Sequence, residues 1–342
     1  MPDGATGTPG LLLVHAHPDD EAFATGGLIA RAVAEGHRVD LVTCTGGEEG
    51  EIHDPTLDYD EAFPRLKEIR AEELRCALDA LRRGGPPGSA PGELHLHMLG
   101  YRDSGMMGTE SNQRPEAFWN ADRDEAIGRV VAIVRAARPA VMVTYDSNGN
   151  YGHPDHINAH RAAVGAFEAA ADPARYPDAG EPHAVAKLYE IAFNRDRWFG
   201  LMKDMAARGI ELPWDFGSDE LAADAPTPAS EGREVEELYP ANVDAIRQME
   251  QRMAAGEEEG ESFGTPEAEI TTIVDVASYA PAKRACMDCH KTQRQDMGWL
   301  LDLPDDLAAR AISPEHFMLT RWRDHDPSEL PARRESSVFE GL

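Results

Sequence analysis

Basic side chains are scarce in this sequence. The 342 residues include 33 lysines and arginines against 62 aspartates and glutamates, which gives a formal net charge of −29. A surface of that sign repels both nucleic acid and anionic membranes. We therefore expect neither nucleic acid nor a membrane as a partner.

Long hydrophobic runs and a recognisable N-terminal targeting segment are lacking as well. The apolar run at 10–17 is about one strand long, far short of the roughly 18 apolar residues of a membrane helix. Residues 2–9 are polar and rich in turn formers. These features predict a soluble, cytoplasmic protein. Cysteine is also rare, and four in a chain of this length favour reduced thiols over a disulfide framework.

Short apolar runs alternate with amphipathic segments through the first part of the chain. We predict strands at 10–17, 38–45, 93–100, 140–146 and 184–193, and helices at 19–37, 64–83, 122–139 and 154–171. Nearly continuous apolar runs are typical of strands buried on both faces, and strand–helix–strand repeats indicate a parallel sheet. The predicted fold class is therefore α/β, a Rossmann-like three-layer sandwich with a mostly parallel sheet.

The alternation weakens after residue 195. An acidic stretch rich in Ala, Pro and Ser at 214–236 indicates a surface excursion. Beyond it we predict helices at 243–256 and 280–298, and strands at 268–277 and 315–323. We therefore predict two units, a Rossmann-like catalytic core over 1–195 and a smaller α/β portion over 196–342. The second unit is expected to complete the fold and to form one side of the cleft.

Two polar loops follow buried strands of this predicted sheet. "HPDD" (17–20) comes after the first strand, and "HPDH" (153–156) comes after the fourth. Open α/β sheets bind ligands at the carboxyl ends of their strands, so we expect the loops to meet across one crevice. Proline fixes a backbone dihedral and stiffens each turn. Aspartate also favours helix starts, but capping alone does not explain two such loops.

The residue types in these loops predict a catalytic metal centre. Two imidazoles and one carboxylate, from His17, Asp20 and His156, form a ligand set that leaves a coordination position for water. The spacing of three allows His17 and Asp20 to converge at a helix start. This set suits one catalytic Zn²⁺ ion, and it equally suits Fe²⁺.

The remaining polar side chains of the loops are expected to lie beside the metal. Asp19 is predicted to act as general base toward water. His153 is predicted to donate to a developing oxyanion or to the leaving group. Asp155 is predicted to orient the imidazole of His153.

The motifs "HAHPDDE" (15–21) and "YGHPDH" (151–156) resemble those of the PIG-L (LmbE-like) zinc deacetylases. Members of this family remove acyl groups, usually acetyl, from N-acylated amino sugars. The resemblance covers most of residues 10–195 and, more weakly, 265–323. It implies the same metal ligands and the same base that the residue types suggest.

Other segments resemble particular branches of the family. "VTCTGGEEGE" (42–51) and "YRDSGM" (101–106) resemble the branch that deacetylates N-acetylglucosaminyl-inositol, whereas "PDAGEPHAVAKLYE" (177–190) resembles the mycothiol S-conjugate amidases. The resemblance implies a small N-acylated amino sugar as substrate, with release of the free amine and acetate. Cleavage of a thiol-conjugate amide is the alternative. The oligomeric state stays open, a homo-oligomer included.

Six further residues are expected to bind the substrate. In the branch that deacetylates N-acetylglucosaminyl-inositol, an arginine in the helix after the second strand and the aspartate of "YRDSGM" contact substrate, and the tyrosine before "GHPDH" is a mobile active-site group. "CHKTQ" (289–293) stands where the family has "AHATQ", so its histidine is expected to face the cleft. Acidic residues of 42–51 could bind sugar hydroxyls. The predicted contacts are Glu48, Glu51, Arg70, Asp103, Tyr151 and His290.

Three other functions compete with this interpretation. "CMDCH" (286–290) matches the pattern of c-type haem attachment, and the same residues could contribute to a structural zinc site. The strand–helix–strand start fits a nucleotide-binding oxidoreductase, but G-x-G-x-x-G is lacking and acidic groups stand where phosphates would bind. A carbohydrate-binding protein without catalysis would not require Asp19 beside the metal.

Overall fold

A computed structural model of the protein describes residues 8–84, 93–210 and 264–342, without the side chains of 295 and 296. The predicted surface excursion at 214–236 and the predicted helix at 243–256 lie outside these residues. Within the described ranges, no helix is both long enough and apolar enough to cross a bilayer.

The described strands form one sheet in the order β3-β2-β1-β4-β5-β7-β6. Their bounds are β1 Leu11–His15, β2 Val39–Thr45, β3 Leu94–Tyr101, β4 Val141–Thr144, β5 Lys187–Ile191, β6 Thr272–Val274 and β7 Glu315–Trp322. Strands β1 to β5 run parallel, β7 runs antiparallel to β5, and β6 runs antiparallel to β7. The prediction of a mostly parallel α/β sheet is confirmed, and the C-terminal part of the chain adds two strands to the same sheet.

Helices cover both faces of the sheet. Their bounds are α1 Gly26–Ala34, α2 Tyr59–Ala62, α3 Leu66–Arg83, α4 Arg123–Ala137, α5 Gly149–Gly152, α6 Pro154–Ala169, α7 Arg195–Ala207, α8 Ala280–Cys289, α9 Arg294–Asp302 and α10 Asp305–Ile312. Helices α1 and α3 pack together on one face and α4 and α6 on the other, and α8 packs against α1 and α3. The sequence pattern did not predict α7 and α10, and β6 is shorter than the strand predicted at 268–277.

Strand β1 lies at the centre of the sheet, between β2 and β4. Its apolar residues, Leu11 to Val14, are completely buried, as its continuous apolar run predicts. The chain adds β2 and β3 on one side of β1 and β4 and β5 on the other. The direction in which strands are added to the sheet therefore reverses at β1, and such a reversal opens a crevice at the carboxyl ends of the strands. The loops after β1 and β4 therefore meet there, as expected.

The structure corrects the expectation of reduced thiols at two of the four cysteines. Cys76 of α3 and Cys289 at the end of α8 form a disulfide, whereas Cys44 and Cys286 are buried free thiols. Because α3 packs against α8, two residues 213 positions apart in sequence come within a Cα–Cα distance of 5.7 Å. The number and spacing of the cysteines in the sequence do not reveal this long-range contact.

The helix predicted at 280–298 is interrupted. Helix α8 ends at Cys289 and α9 begins at Arg294, with a 3₁₀ turn between them. Glu73 of α3 accepts hydrogen bonds from the backbone N–H of Thr292 at 2.8 Å and from its hydroxyl at 2.7 Å. These bonds fix the intervening segment to α3, and the chain leaves the helical path.

Candidate active site

Three side chains from the two loops converge at the carboxyl ends of β1 and β4. His17 Nδ1 lies 3.3 Å from His156 Nε2. Asp20 lies 3.6 Å from His17 Nδ1 through Oδ2 and 3.4 Å from His156 Nε2 through Oδ1. Tetrahedral zinc with bonds of about 2.0–2.1 Å separates its donor atoms by about 3.3–3.4 Å. These three side chains are therefore close enough together to hold one metal ion, with Asp20 facing His17 through one carboxylate oxygen and His156 through the other.

The other ring nitrogen of His17 faces Asp155. Nε2 lies 3.2 Å from Asp155 Oδ2, which also accepts the Ser104 N–H at 2.9 Å, and Asp155 Oδ1 accepts the Ser104 hydroxyl. A histidine that donates Nε2–H to a carboxylate presents the Nδ1 lone pair to a metal. Asp155 thus contacts both imidazoles, His17 through its carboxylate and His153, which it was predicted to orient, through its backbone N–H.

His153 is the N-cap of α6. Its Nδ1 accepts the backbone N–H of Asp155 at 3.1 Å, so a neutral ring carries its proton on Nε2. Burial, followed by the charges of His17 and His156, lowers the pKa of His153 to about 3. The ring centroids of His153 and His17 are 4.6 Å apart. His153 thus places a neutral N–H donor beside the metal ligands.

Asp19 adopts a backbone conformation that is rare outside glycine, with φ of 130°. Its backbone N–H donates to Glu21 Oε2 at 3.0 Å, and the side-chain amide of Gln293 donates to its Oδ2. Burial, followed by the charge of Asp20, raises the pKa of Asp19 to about 8. A pKa near neutrality suits a group that accepts a proton and returns it.

A polar layer lies beneath the ligands. The Tyr145 hydroxyl donates to Asp20 Oδ2 at 2.6 Å and accepts the Ala16 N–H at 2.7 Å. His15, which is completely buried, lies 3.0 Å from the Thr25 hydroxyl through Nε2. Tyr145 therefore fixes the carboxylate of Asp20. Sequence reasoning missed this role, although Tyr145 follows β4 directly at the edge where the ligands were expected.

Two of the predicted substrate contacts border the metal ligands. Asp103 Oδ1 lies 3.7 Å from His17 Nε2. The Tyr151 hydroxyl lies 3.5 Å from His156 Nε2, and the side chain is 58% exposed. A ligand at the metal centre would therefore lie within reach of both.

Arg70, Glu48 and Glu51 occupy three different positions around the loop after β2. The buried guanidinium of Arg70 donates to the Glu51 carbonyl at 3.1 Å, and its charge acts on Asp19. The Glu48 carboxylate accepts two backbone N–H groups at 3.1 and 3.2 Å, which stabilises the loop. The Glu51 side chain is 83% exposed and lies 3.2 Å from His53. Of the three, Arg70 is the residue whose positive charge acts to lower the pKa of Asp19.

The expectation that His290 faces the cleft is wrong. His290 is completely buried, and its Nε2 lies 2.7 Å from Glu21 Oε1. Because Cys289 is in a disulfide, the "CMDCH" segment lacks the two free thiols that c-type haem attachment uses. The buried cluster of Glu21, Cys286 and His290 is hydrogen-bonded, since 2.7 Å is shorter than the separation of about 3.3 Å between zinc ligands.

The chain is similar to known proteins over nearly its whole length. Residues 12–167 match the family described as PIG-L: GlcNAc-PI de-N-acetylase. A relative from Geodermatophilus obscurus, named 1D-myo-inositol 2-acetamido-2-deoxy-alpha-D-glucopyranoside deacetylase, is 40% identical over 336 residues, which cover 94% of this chain and 98% of the relative. A relative of the same name from Streptomyces avermitilis is 40% identical over 342 residues and 97% of both chains. Among solved structures, a conserved protein of Thermus thermophilus is similar at a TM-score of 0.48 and 18% identity, covering 94% of this chain and 98% of that chain.

Proposed function

The chain belongs to the PIG-L family of de-N-acetylases, and on this premise we propose that it hydrolyses the N-acetyl amide of an N-acetylglucosaminyl-inositol substrate. The products are acetate and the free amine. The observation that carries the proposal is the convergence of His17, Asp20 and His156, with the His153 ring 4.6 Å from that of His17 and with Asp19 next to Asp20 in the chain. The names of the two relatives favour this deacetylation over cleavage of a thiol-conjugate amide.

The metal is assigned as zinc, held by His17 Nδ1, His156 Nε2 and the Asp20 carboxylate. This donor set also suits Fe²⁺, so metal analysis is part of the test. When bound, the ion supplies Lewis-acid chemistry, since it polarises the amide carbonyl and makes a water molecule more acidic. Asp155 and Ser104 keep the His17 ring in the required tautomer and orientation.

Asp19 is assigned as the group that moves the proton. It accepts the proton of the attacking water and returns it to the amide nitrogen as the amine leaves. The raised pKa of Asp19 supports the second step, because burial favours the protonated form that returns the proton. A divalent cation at the ligands would favour the carboxylate, the form that the first step requires.

His153 is assigned as the hydrogen-bond donor to the carbonyl oxygen as negative charge develops there. Its Nδ1 is occupied by the Asp155 N–H, which leaves Nε2–H as the donor. Its low pKa favours a neutral donor over a general acid. Asp19 is therefore assigned as the group that protonates the leaving amine.

Asp103, Arg70 and Tyr151 are assigned to the sugar part of the substrate. The Asp103 carboxylate lies 3.7 Å from His17, and Tyr151 is exposed beside His156. Sugar hydroxyls pair with carboxylate and guanidinium groups through charge-assisted hydrogen bonds. The donors and acceptors on this side of the cleft suit a small hydroxyl-rich molecule.

An amine-release assay tests the proposal. The purified protein, with its metal content measured, is given N-acetylglucosaminyl-inositol, N-acetylglucosamine and a mycothiol conjugate in parallel. We expect stoichiometric zinc, with the highest kcat/KM on the first substrate. Release from the conjugate alone would move the function to the amidase branch. Failure to release amine from any of the three, with metal bound, would remove the hydrolase assignment.

A further inference from the structure

The backbone of Asp19 is restrained on both sides of its Cα atom. Its N–H donates to Glu21 Oε2 at 3.0 Å, and its carbonyl accepts the Ala22 N–H at 2.8 Å. Its side chain accepts a hydrogen bond from Gln293. A non-glycine residue with φ of 130° is strained, and such a conformation persists only where the surroundings impose it. The groups that impose it are therefore candidates for a role in the reaction.

Glu21 connects Asp19 to the interior of the protein. The carboxylate is completely buried, in the first turn of a π-helical segment that precedes α1. Oε2 binds the Asp19 N–H, and Oε1 lies 2.7 Å from Nε2 of the equally buried His290. One carboxylate therefore joins the strained peptide to an imidazole from a segment about 270 residues later in the chain.

The segment that carries His290 is itself fixed to α3. Cys289 is bonded to Cys76, and Thr292 donates two hydrogen bonds to Glu73 at 2.7 and 2.8 Å. The same short turn provides Gln293, which binds the Asp19 side chain. The Asp19 peptide thus depends on a rigid support built from α3 and the residues after α8.

We propose that Glu21 and His290 are positioning residues for Asp19: they hold its peptide so that its carboxylate stays beside the metal ligands. The inference rests on the proposed function of Asp19 as proton carrier. Both residues are completely buried and neither reaches the cleft, so neither is a catalytic residue. A purely structural role would make them matter for folding but not for turnover by the folded, metal-loaded enzyme.

Substitutions at both positions separate the two roles. Glu21→Ala removes the acceptor of the Asp19 N–H, whereas Glu21→Gln keeps a side-chain oxygen there. His290→Ala and His290→Gln form a second pair, in which glutamine keeps an N–H donor toward Glu21. Misplacement of a catalytic group by about 1 Å costs up to about 100-fold in rate. We expect both alanine variants to lose about 10- to 100-fold in kcat per bound metal, with KM within about threefold, and the glutamine variants to recover most of the loss.

Tyr189→Phe serves as the matched control. It removes a buried hydrogen bond of 2.6 Å to a carboxylate, that of Glu335 in the C-terminal tail. We expect a lower Tm and an unchanged kcat per bound metal. If the control lost as much kcat as Glu21→Ala, the effect would be general destabilisation and the proposal would be wrong.

A crystal structure of the Glu21→Ala variant gives a readout that does not depend on activity. We expect φ of Asp19 to leave the positive region. Wild-type kcat per bound metal, a loss confined to KM, or metal loss in step with activity would each overturn the proposal. A wild-type enzyme inactive on every amide would contradict the proposed function instead, while the Asp19 geometry in the variant would still test the positioning.

Discussion

The two His-Pro-Asp loops reach the same metal centre, but they are held in different ways. In the second loop, His153 caps α6 and accepts the Asp155 N–H at 3.1 Å, with Pro154 at the first position of the helix. In the first loop, Asp19 is held by Glu21 and by Gln293, which is 274 residues away in sequence. One loop is fixed by its own helix, and the other depends on a distant part of the chain.

This difference suggests how the reactive groups are divided between the loops. Asp155 and the donor His153 sit on a helix start, where capping gives a reproducible geometry. The proposed proton carrier Asp19 sits on a strained turn, which requires support from other elements. Changes in the first loop or its support should therefore reduce turnover, whereas mild changes in the second loop should remain local.

The largest effect is expected from Asp19→Asn, which removes the proposed proton carrier from the first loop. General acid–base catalysis contributes about 10²- to 10⁴-fold, so we expect kcat to fall by that factor. Zinc content should remain stoichiometric because Asp19 is not among the proposed ligands. Metal analysis and steady-state kinetics on the same sample check both points. Retained turnover in the metal-loaded variant would reassign the base.

A smaller effect is expected from breaking the support of the first loop at its disulfide. Cys76→Ser opens a cross-link between residues 213 apart, and the loss of a native disulfide typically costs about 2–4 kcal/mol of stability. We expect a lower midpoint of chemical denaturation and earlier thermal inactivation. A reductant should lower the denaturation midpoint of the wild type to that of the variant, and it should leave the midpoint of the variant unchanged. Equal midpoints for oxidised wild type and variant would contradict this prediction.

Most of the fold and much of the site could be predicted from the sequence because both depend on local patterns. Apolar runs such as that at 10–17 identify the parallel strands, and the family resemblance of the two motifs is confirmed by relatives that match nearly the whole chain. The roles of Asp19, His153 and the three ligands stay predictions, although the structure brings these residues together.

What the sequence did not reveal depends on contacts between distant segments. The break after α8, the disulfide and the burial of His290 all follow from the packing of α8 and the next turn against α3. Each involves a pairing across more than 200 residues, such as Thr292 with Glu73. Helical periodicity and cysteine number report only on local structure, so they indicated a continuous helix and free thiols.

The contact between the loops is tested by Asp155→Asn. Asp155 of the second loop accepts from His17 Nε2 of the first at 3.2 Å. Removing such an orienting carboxylate typically weakens metal binding by about 10- to 100-fold. We expect a shift of that size in zinc affinity, measured by competition with a chelator. Ser104→Ala, which removes a single hydroxyl donor to Asp155, should also weaken zinc binding, but by a smaller factor. An unchanged affinity in Asp155→Asn would mean that the His17 ring is fixed without this carboxylate.

The smallest effect is expected from Pro154→Ala in the second loop. Proline at the start of α6 limits the freedom of the unfolded chain, and its loss typically costs about 0.4–1 kcal/mol. The His153 cap and the Asp155 N–H do not require proline, so they remain and keep the donor in place. We expect a slightly lower denaturation midpoint and a kcat within about twofold of wild type. A larger loss of kcat would mean that the second loop also needs its turn to be rigid, and the contrast between a locally fixed loop and a remotely supported one would disappear.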